Sequence, residues 1–374
     1  MFLFAAVAGA IVSLWRRHRY LQEKAEEEEK ERLLEGVLDN TKENLDEFYL
    51  RKAHEFRLSL DPPQQSHFRV TCILLLENAN MVFGTNDEPS PSIANSICAE
   101  RCALLRYRTM LKTSPVKTIY IVTDADKPVP PGMLCREYMY GHPATRPTTR
   151  VVMQSNDLES EPFVLTLEEL HPYPSIYTGM PPEEQTKFGT KHQVKVQAEV
   201  DKLEIIELTE KHVLQLIKAA RSACQLDTRD TVHAMRYGAA AALQSHDAHI
   251  QFISAPQVKG LEYGCTQDAV CQLASDLLAP ANNSLKVVAV VQVDQFGIPH
   301  GLFAHARSFM IEHGFGDCRV ILTVRRKPGD EHYEEGVLEV QSVLAKDLTP
   351  HLLPELRLQA RNDNAAPIVG TDVS

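Results

Sequence analysis

One tryptophan stands in 374 residues, and Phe, Trp and Tyr together make up only 7% of the chain. Basic residues are also short: 39 Lys and Arg against 50 Asp and Glu leave a net charge of −11. An acidic chain with no basic, aromatic-rich stretch lacks the field and stacking platforms of a polynucleotide binder, which argues against a polynucleotide editor. Eight cysteines spread from Cys72 to Cys318 are too few for a disulfide scaffold and read as reduced thiols. Apolar runs of membrane-bundle length are missing too. What remains, 44% hydrophobic and 24% charged residues, is the balance of a globular protein of two to three domains.

The N-terminus departs from that balance. Met1 to Trp15 carries no charge, and Arg16, Arg17, His18 and Arg19 follow at once. As a helix, fifteen residues reach about 22 Å, less than the ~30 Å of a hydrocarbon core. Positive charge after the apolar stretch disfavours a cleaved signal peptide and places the rest of the chain on the cytosolic side. The expectation is a short membrane anchor suited to the endoplasmic reticulum or the mitochondrial outer membrane; a buried N-terminal helix or an organellar targeting segment are the alternatives. The charged run from Glu23 to Glu35 reads as a solvated spacer.

Beyond it the pattern predicts a helix over 41–58, a strand over His67–Leu76, a returning strand over Ala79–Gly84 and a helix over Ser96–Leu111. A buried strand follows at Lys117–Thr123, a helix from Gly132, a strand at Arg150–Gln154 and a helix start at Thr166–His171. This is α/β layering. Residues 178–202, with Pro181 and Pro182, read as a linker.

The order then recurs. Val213, Leu216, Ile217 and Ala220 keep helical spacing, Val232–Leu243 parallels His67–Leu76, and Lys286–Val293 is a second buried strand. Gly264-Cys265-Thr266-Gln267 pairs with Ile97-Cys98-Ala99-Glu100, Pro299–Phe303 with Pro130–Leu134, and Leu348-Thr349-Pro350 with Leu170-His171-Pro172, at offsets of 167, 169 and 178 residues. The chain therefore divides as anchor and spacer 1–40, a first domain 41–177, a linker 178–202, a degenerate second copy 203–360 and a loose tail 361–374.

Cys98 and Cys135 each stand at an expected helix start, where the dipole and unpaired N–H groups favour a thiolate. Glu100 lies two residues beyond Cys98. Brought together, they would be the apparatus of a zinc-activated water; by spacing alone two such cysteines are more often small buried hydrophobes.

The flanking residues resemble the cytidine deaminase family. Ser66-His67-Phe68-Arg69-Val70, Gly84-Thr85-Asn86-Asp87-Glu88, Cys98-Ala99-Glu100-Arg101-Cys102-Ala103, Pro131-Gly132-Met133-Leu134-Cys135-Arg136 and Thr166–Pro172 follow its motifs in order over about 110 residues. The resemblance implies tandem α/β/α sandwich domains with mixed sheets, zinc held by Cys98 and Cys135, and Glu100 as proton shuttle. It also implies Phe68, Asn86 and Glu88 as nucleoside contacts, deamination of cytidine or deoxycytidine, and a homodimer. The departure is Gly132, where the family has a further Cys; Cys102 and His142 are the nearest replacement ligands. In the second copy Gln267 falls on the Glu position. A catalytically inactive, membrane-tethered module binding a nucleoside or a protein partner is the other reading.

Overall fold

The computed structural model describes residues 44–110, 114–282, 284–325 and 338–351. In chain order its longer elements begin with α1 (Leu45–Leu58), β1 (Val70–Leu76), β2 (Met81–Thr85), α2 (Ala99–Arg108), β3 (Val116–Thr123) and α3 (Met133–Gly141). Next come β4 (Arg150–Gln154), β5 (Phe163–Thr166), α4 (Pro182–Val200), α5 (Glu210–Cys224), β6 (Tyr237–Gln244) and β7 (Ile250–Pro256). The series closes with β8 (Lys286–Asp294), α6 (Ala304–Glu312), β9 (Arg319–Arg325) and β10 (Leu338–Leu344). The described residues fall into two units, one from those up to 129 with 144–166, the other from 130–143 with those from 167 to 351.

The first unit holds the sheet β2-β1-β3-β4-β5, antiparallel except for the parallel pair β3–β4. Its strands are apolar on both faces, which requires a cover on each. On one face Tyr49, Leu50 and Ala53 of α1 pack with Ile73, Leu75, Tyr120, Val122 and Val152. Asn44 caps α1 reciprocally: its Oδ1 accepts from Glu47 N at 2.9 Å, and Glu47 Oε2 accepts from Asn44 N at 3.1 Å. Successive strand residues alternate between faces, so Cys72 and Leu74 look the other way. There α2 lies on β1 and β2. A Cβ at Gly84 would stand 2.3 Å from Ala99 O and 2.4 Å from Ala103 N, so only glycine admits α2 this close.

The second unit holds β7-β6-β8-β9-β10, with β8–β9 as its parallel pair. Strand order and the sequence of parallel and antiparallel pairs match the first sheet. Val213, Leu216, Ile217 and Ala220 of α5 are buried against Ala240, Ala242, Val291 and Val293, while Ala239, Ala241 and Val290 face Leu302, Ala306 and Met310. The mixed α/β class expected from the sequence is thus present in both units.

One stretch differs from expectation. Within 178–202, read as a linker, residues Pro182–Val200 form a 19-residue helix. Proline at the first helical position starts a helix rather than breaking it, and His192, Val196 and Val200, four residues apart, give α4 a buried stripe. Among the described residues no helix is long and apolar enough to cross a membrane. The apolar segment 1–15, the spacer to residue 40 and the tail from 361 lie outside the described residues.

Candidate functional site

A short bridge between Asp87 and Ile97, with both N–H···O contacts at 2.9 Å, delivers the chain to α2. Cys98 is the N-cap of that helix, extended at φ −77° and ψ 156°. Its Sγ receives Arg101 Nη2 at 3.5 Å. A guanidinium and a helix N-terminus at one sulfur both favour negative charge there. Glu100, in the first turn, is 4% exposed. Beside it on β1, burial, then the charges of Glu100 and Cys102, hold the Cys72 thiol well above its ordinary range, so Cys72 stays neutral.

Residues 130–143 belong to the second unit. Gly132 is the N-cap of α3, and Cys135, in the first turn, is 1% exposed. The buried Arg136 guanidinium fixes this turn: Nε donates to Pro131 O at 2.7 Å, and Nη1 donates to Leu170 O at 2.9 Å and Pro350 O at 2.7 Å. Burial, then the charge of Arg307, brings its pKa down to about 10, still charged at neutral pH.

Cys98, Glu100 and Cys135 offer ligand atoms that all lie within 4.8 Å of one another. Two thiols and a carboxylate are a donor set that fits zinc. Neither Cys102 nor His142 belongs to the group. Gly132 supplies no donor, but a Cβ built on it meets nothing within 4 Å, and its φ of −64° suits any residue.

The other three expected residues sit together in the first unit. Asn86 Oδ1 accepts from Val70 N at 2.9 Å, and its Nδ2 donates to Phe68 O at 2.8 Å and Glu88 Oε1 at 3.2 Å. Glu88 also accepts from Ser66, which sequence reasoning left without a role: N to Oε2 at 2.7 Å and Oγ to Oε1 at 2.9 Å. Its place two residues before Phe68 was the one available signal.

Among the described residues the second unit carries different side chains at the matching positions, in a register that differs from the expected pairing. The bridge Val258–Gln267 is the counterpart of Asp87–Ile97, so Asp268 stands at the Cys98 position and Val270 at the Glu100 position. The pairing of Cys265 with Cys98 and Gln267 with Glu100 is three residues out on this register; Cys265 is exposed in the loop that the bridge closes. At α6, Ala306 replaces Cys135, while Arg307 repeats Arg136, with Nε donating to Leu302 O at 2.6 Å and Nη1 to Leu348 O at 2.8 Å. His300 is fully buried between Ser175 Oγ at 3.0 Å and Asp294 Oδ2 at 3.3 Å, a structural role.

No family model matches the chain, and no curated protein matches it. Solved structures similar to it are cytidine deaminases. The Burkholderia pseudomallei enzyme is 24% identical over 33% of this chain and 95% of its own, with a TM-score of 0.30. The Mycobacterium leprae enzyme is 20% identical over 33% and 93%, TM-score 0.27. The Mycobacterium tuberculosis enzyme is 18% identical over 37% and 94%, TM-score 0.27.

Proposed function

We propose that the chain is a cytidine-deaminase-like protein that takes cytidine or deoxycytidine at Cys98, Glu100 and Cys135 and releases ammonia by hydrolysis. The observation that carries this reading is the gathering of two thiols and a buried carboxylate, from the starts of two different helices, within 4.8 Å. Cys98 and Cys135 would hold zinc, which when bound supplies an acidified water. Glu100, almost dry at 4% exposure, would carry the two protons of the attacking water in turn, the first to the cytosine ring nitrogen and the second to the amine that leaves as ammonia. Asn86 and Glu88 hold the sugar hydroxyls and Phe68 lines the pocket.

Gly132 favours a second reading, binding without turnover. A catalytic zinc calls for three protein ligands and one open position. If Glu100 fills the place Gly132 leaves, it is a ligand and no longer a proton carrier. The second unit, with Val270 and Ala306, is proposed as a duplicated copy that has lost the reaction, supported by its matching strand order. A homodimer, and a membrane anchor at 1–15 holding the protein on the cytosolic face, complete the proposal.

Ammonia release from cytidine by the full chain separates the two readings. The hydrolytic one expects turnover that Glu100→Gln lowers at least about a hundredfold. Turnover that appears only in Gly132→Cys, whose new side chain meets open space, establishes the binding reading for the natural chain. No turnover and no cytidine binding in either protein removes both.

A further inference from the structure

We propose that Ser66 is a positioning residue for sugar recognition, acting through Glu88; this deepens the nucleoside reading above and rests on it. Ser66 grips the carboxylate twice, N–H on Oε2 at 2.7 Å and Oγ–H on Oε1 at 2.9 Å. The same hydroxyl accepts from Phe68 N at 3.1 Å. Asn86 Nδ2 closes the set on Glu88 Oε1 at 3.2 Å and on Phe68 O at 2.8 Å. The three residues assigned to the nucleoside are thereby tied to one serine.

The next residue, His67, has a φ of 55°, in the left-handed region that disfavours non-glycine residues. Such a conformation persists where neighbours over-determine it. Here His67 N donates to Pro63 O at 3.1 Å while Ser66 is clamped to Glu88, so the backbone is held from both sides.

Lone-pair arithmetic then gives Glu88 a defined task. An ionised carboxylate has about four acceptor sites. Oε1 spends two on Ser66 Oγ and Asn86, and Oε2 spends one on Ser66 N, which leaves one on Oε2 for a sugar hydroxyl. Removing the Ser66 hydroxyl frees the carboxylate to rotate and spoils that single aimed acceptor.

The second unit shows the same junction with its acceptor lost. Met235 N donates to His233 Nδ1 at 3.2 Å, as Phe68 N does to Ser66. At the place of Glu88 stands Lys259, whose Nζ donates to His233 O at 2.6 Å and pairs with Asp227 at 3.0 Å. A spent cation cannot accept from a sugar, so this recognition exists in the first unit alone.

Calorimetric titration of the full chain with cytidine and with free cytosine tests the inference on wild type, Ser66→Ala and Ser66→Thr. Ser66→Ala is expected to weaken cytidine about five- to tenfold, the loss of one hydrogen bond to a charged group near solvent, and to leave cytosine within about twofold. Ser66→Thr, which keeps the hydroxyl, restores cytidine. Unchanged cytidine affinity in Ser66→Ala, or equal weakening of both ligands, overturns the role of Ser66 and leaves the nucleoside reading standing. A wild-type chain that binds neither compound overturns both.

Discussion

Asp268 is a buried carboxyl at the start of its own short helical segment. It stands where the first unit has Cys98, buried, with Oδ1 accepting from Val270 N at 2.8 Å and Cys271 N at 3.3 Å. Its Oδ2 has no hydrogen-bond partner among the described residues. Burial, with a further push from the Glu137 charge and opposed by those two N–H groups, raises its pKa from the ordinary 3.8 to about 6. A raised carboxyl contributes stability that is fully present below about pH 3.8 and is lost as pH rises through about 6, on the order of 3 kcal/mol in all. Asp268→Asn keeps the capping oxygen and removes the charge. Its stability gain over wild type should therefore be near zero at pH 4 and grow to about 2–3 kcal/mol at pH 7 in denaturant unfolding; a pH-independent difference would refute the buried charge. At this scale motif and helix start singled out Cys98, Glu100 and Cys135 in the sequence, and their ligand atoms lie within 4.8 Å of one another. The role proposed for Ser66 was not legible, because it depends on a hydrogen bond to a residue 22 positions away.

Among the elements, α2 carries two of the three site residues, and its seat on the sheet depends on Gly84. Gly84→Ala would set a methyl against backbone atoms at 2.3 and 2.4 Å, which cannot yield as a side chain tip would. We expect a loss of about 1–3 kcal/mol in stability together with impaired metal binding, since α2 must lift and take Cys98 and Glu100 with it. Unfolding and metal titration on the same sample check this; loss of stability with metal affinity untouched would mean that α2 does not set the site. Gly189 makes the complementary point in α4. Alanine is the better helix former by about 1 kcal/mol, yet its Cβ would meet the Phe296 ring at 2.2 Å and the Tyr177 hydroxyl at 2.7 Å. The hydroxyl donates to buried Asp294 at 2.6 Å, so Gly189→Ala is expected to lower the unfolding midpoint, and a raised midpoint would count against this packing. Strands β1, β3, β4 and β8 were readable from continuous apolar runs, because strands covered on both faces carry apolar side chains at successive positions. Helix α4 was missed because its polar surface and Pro181-Pro182 resemble a loop, and its buried stripe is only one residue wide.

At the level of the whole molecule, two sheets of identical strand order organise the described residues, and the recurrence read in the sequence fits them only in a shifted register. The match of Cys98 with Cys265 uses an offset of 167 residues, which is correct for the junctions Ser66–Phe68 and His233–Met235 at the start of each sheet. By Arg136 and Arg307 the offset has grown to 171. The added residues fall in the hairpin β6–β7, where sequence similarity is too thin to locate them and only hydrogen-bond pairing does so. The anchor proposed at 1–15 belongs to this scale as well. Residues 1–40 fused to a fluorescent reporter should localise to a membrane, and a diffuse signal would remove the proposal. The most direct test of the whole is the zinc content of the purified full chain, read beside the Cys98→Ser and Cys135→Ser variants. A common site built on the group within 4.8 Å requires about one zinc per wild-type chain and a near-complete loss in either variant. A chain that takes up no zinc, or holds it undiminished without either thiol, would show that the three side chains meet without sharing a metal.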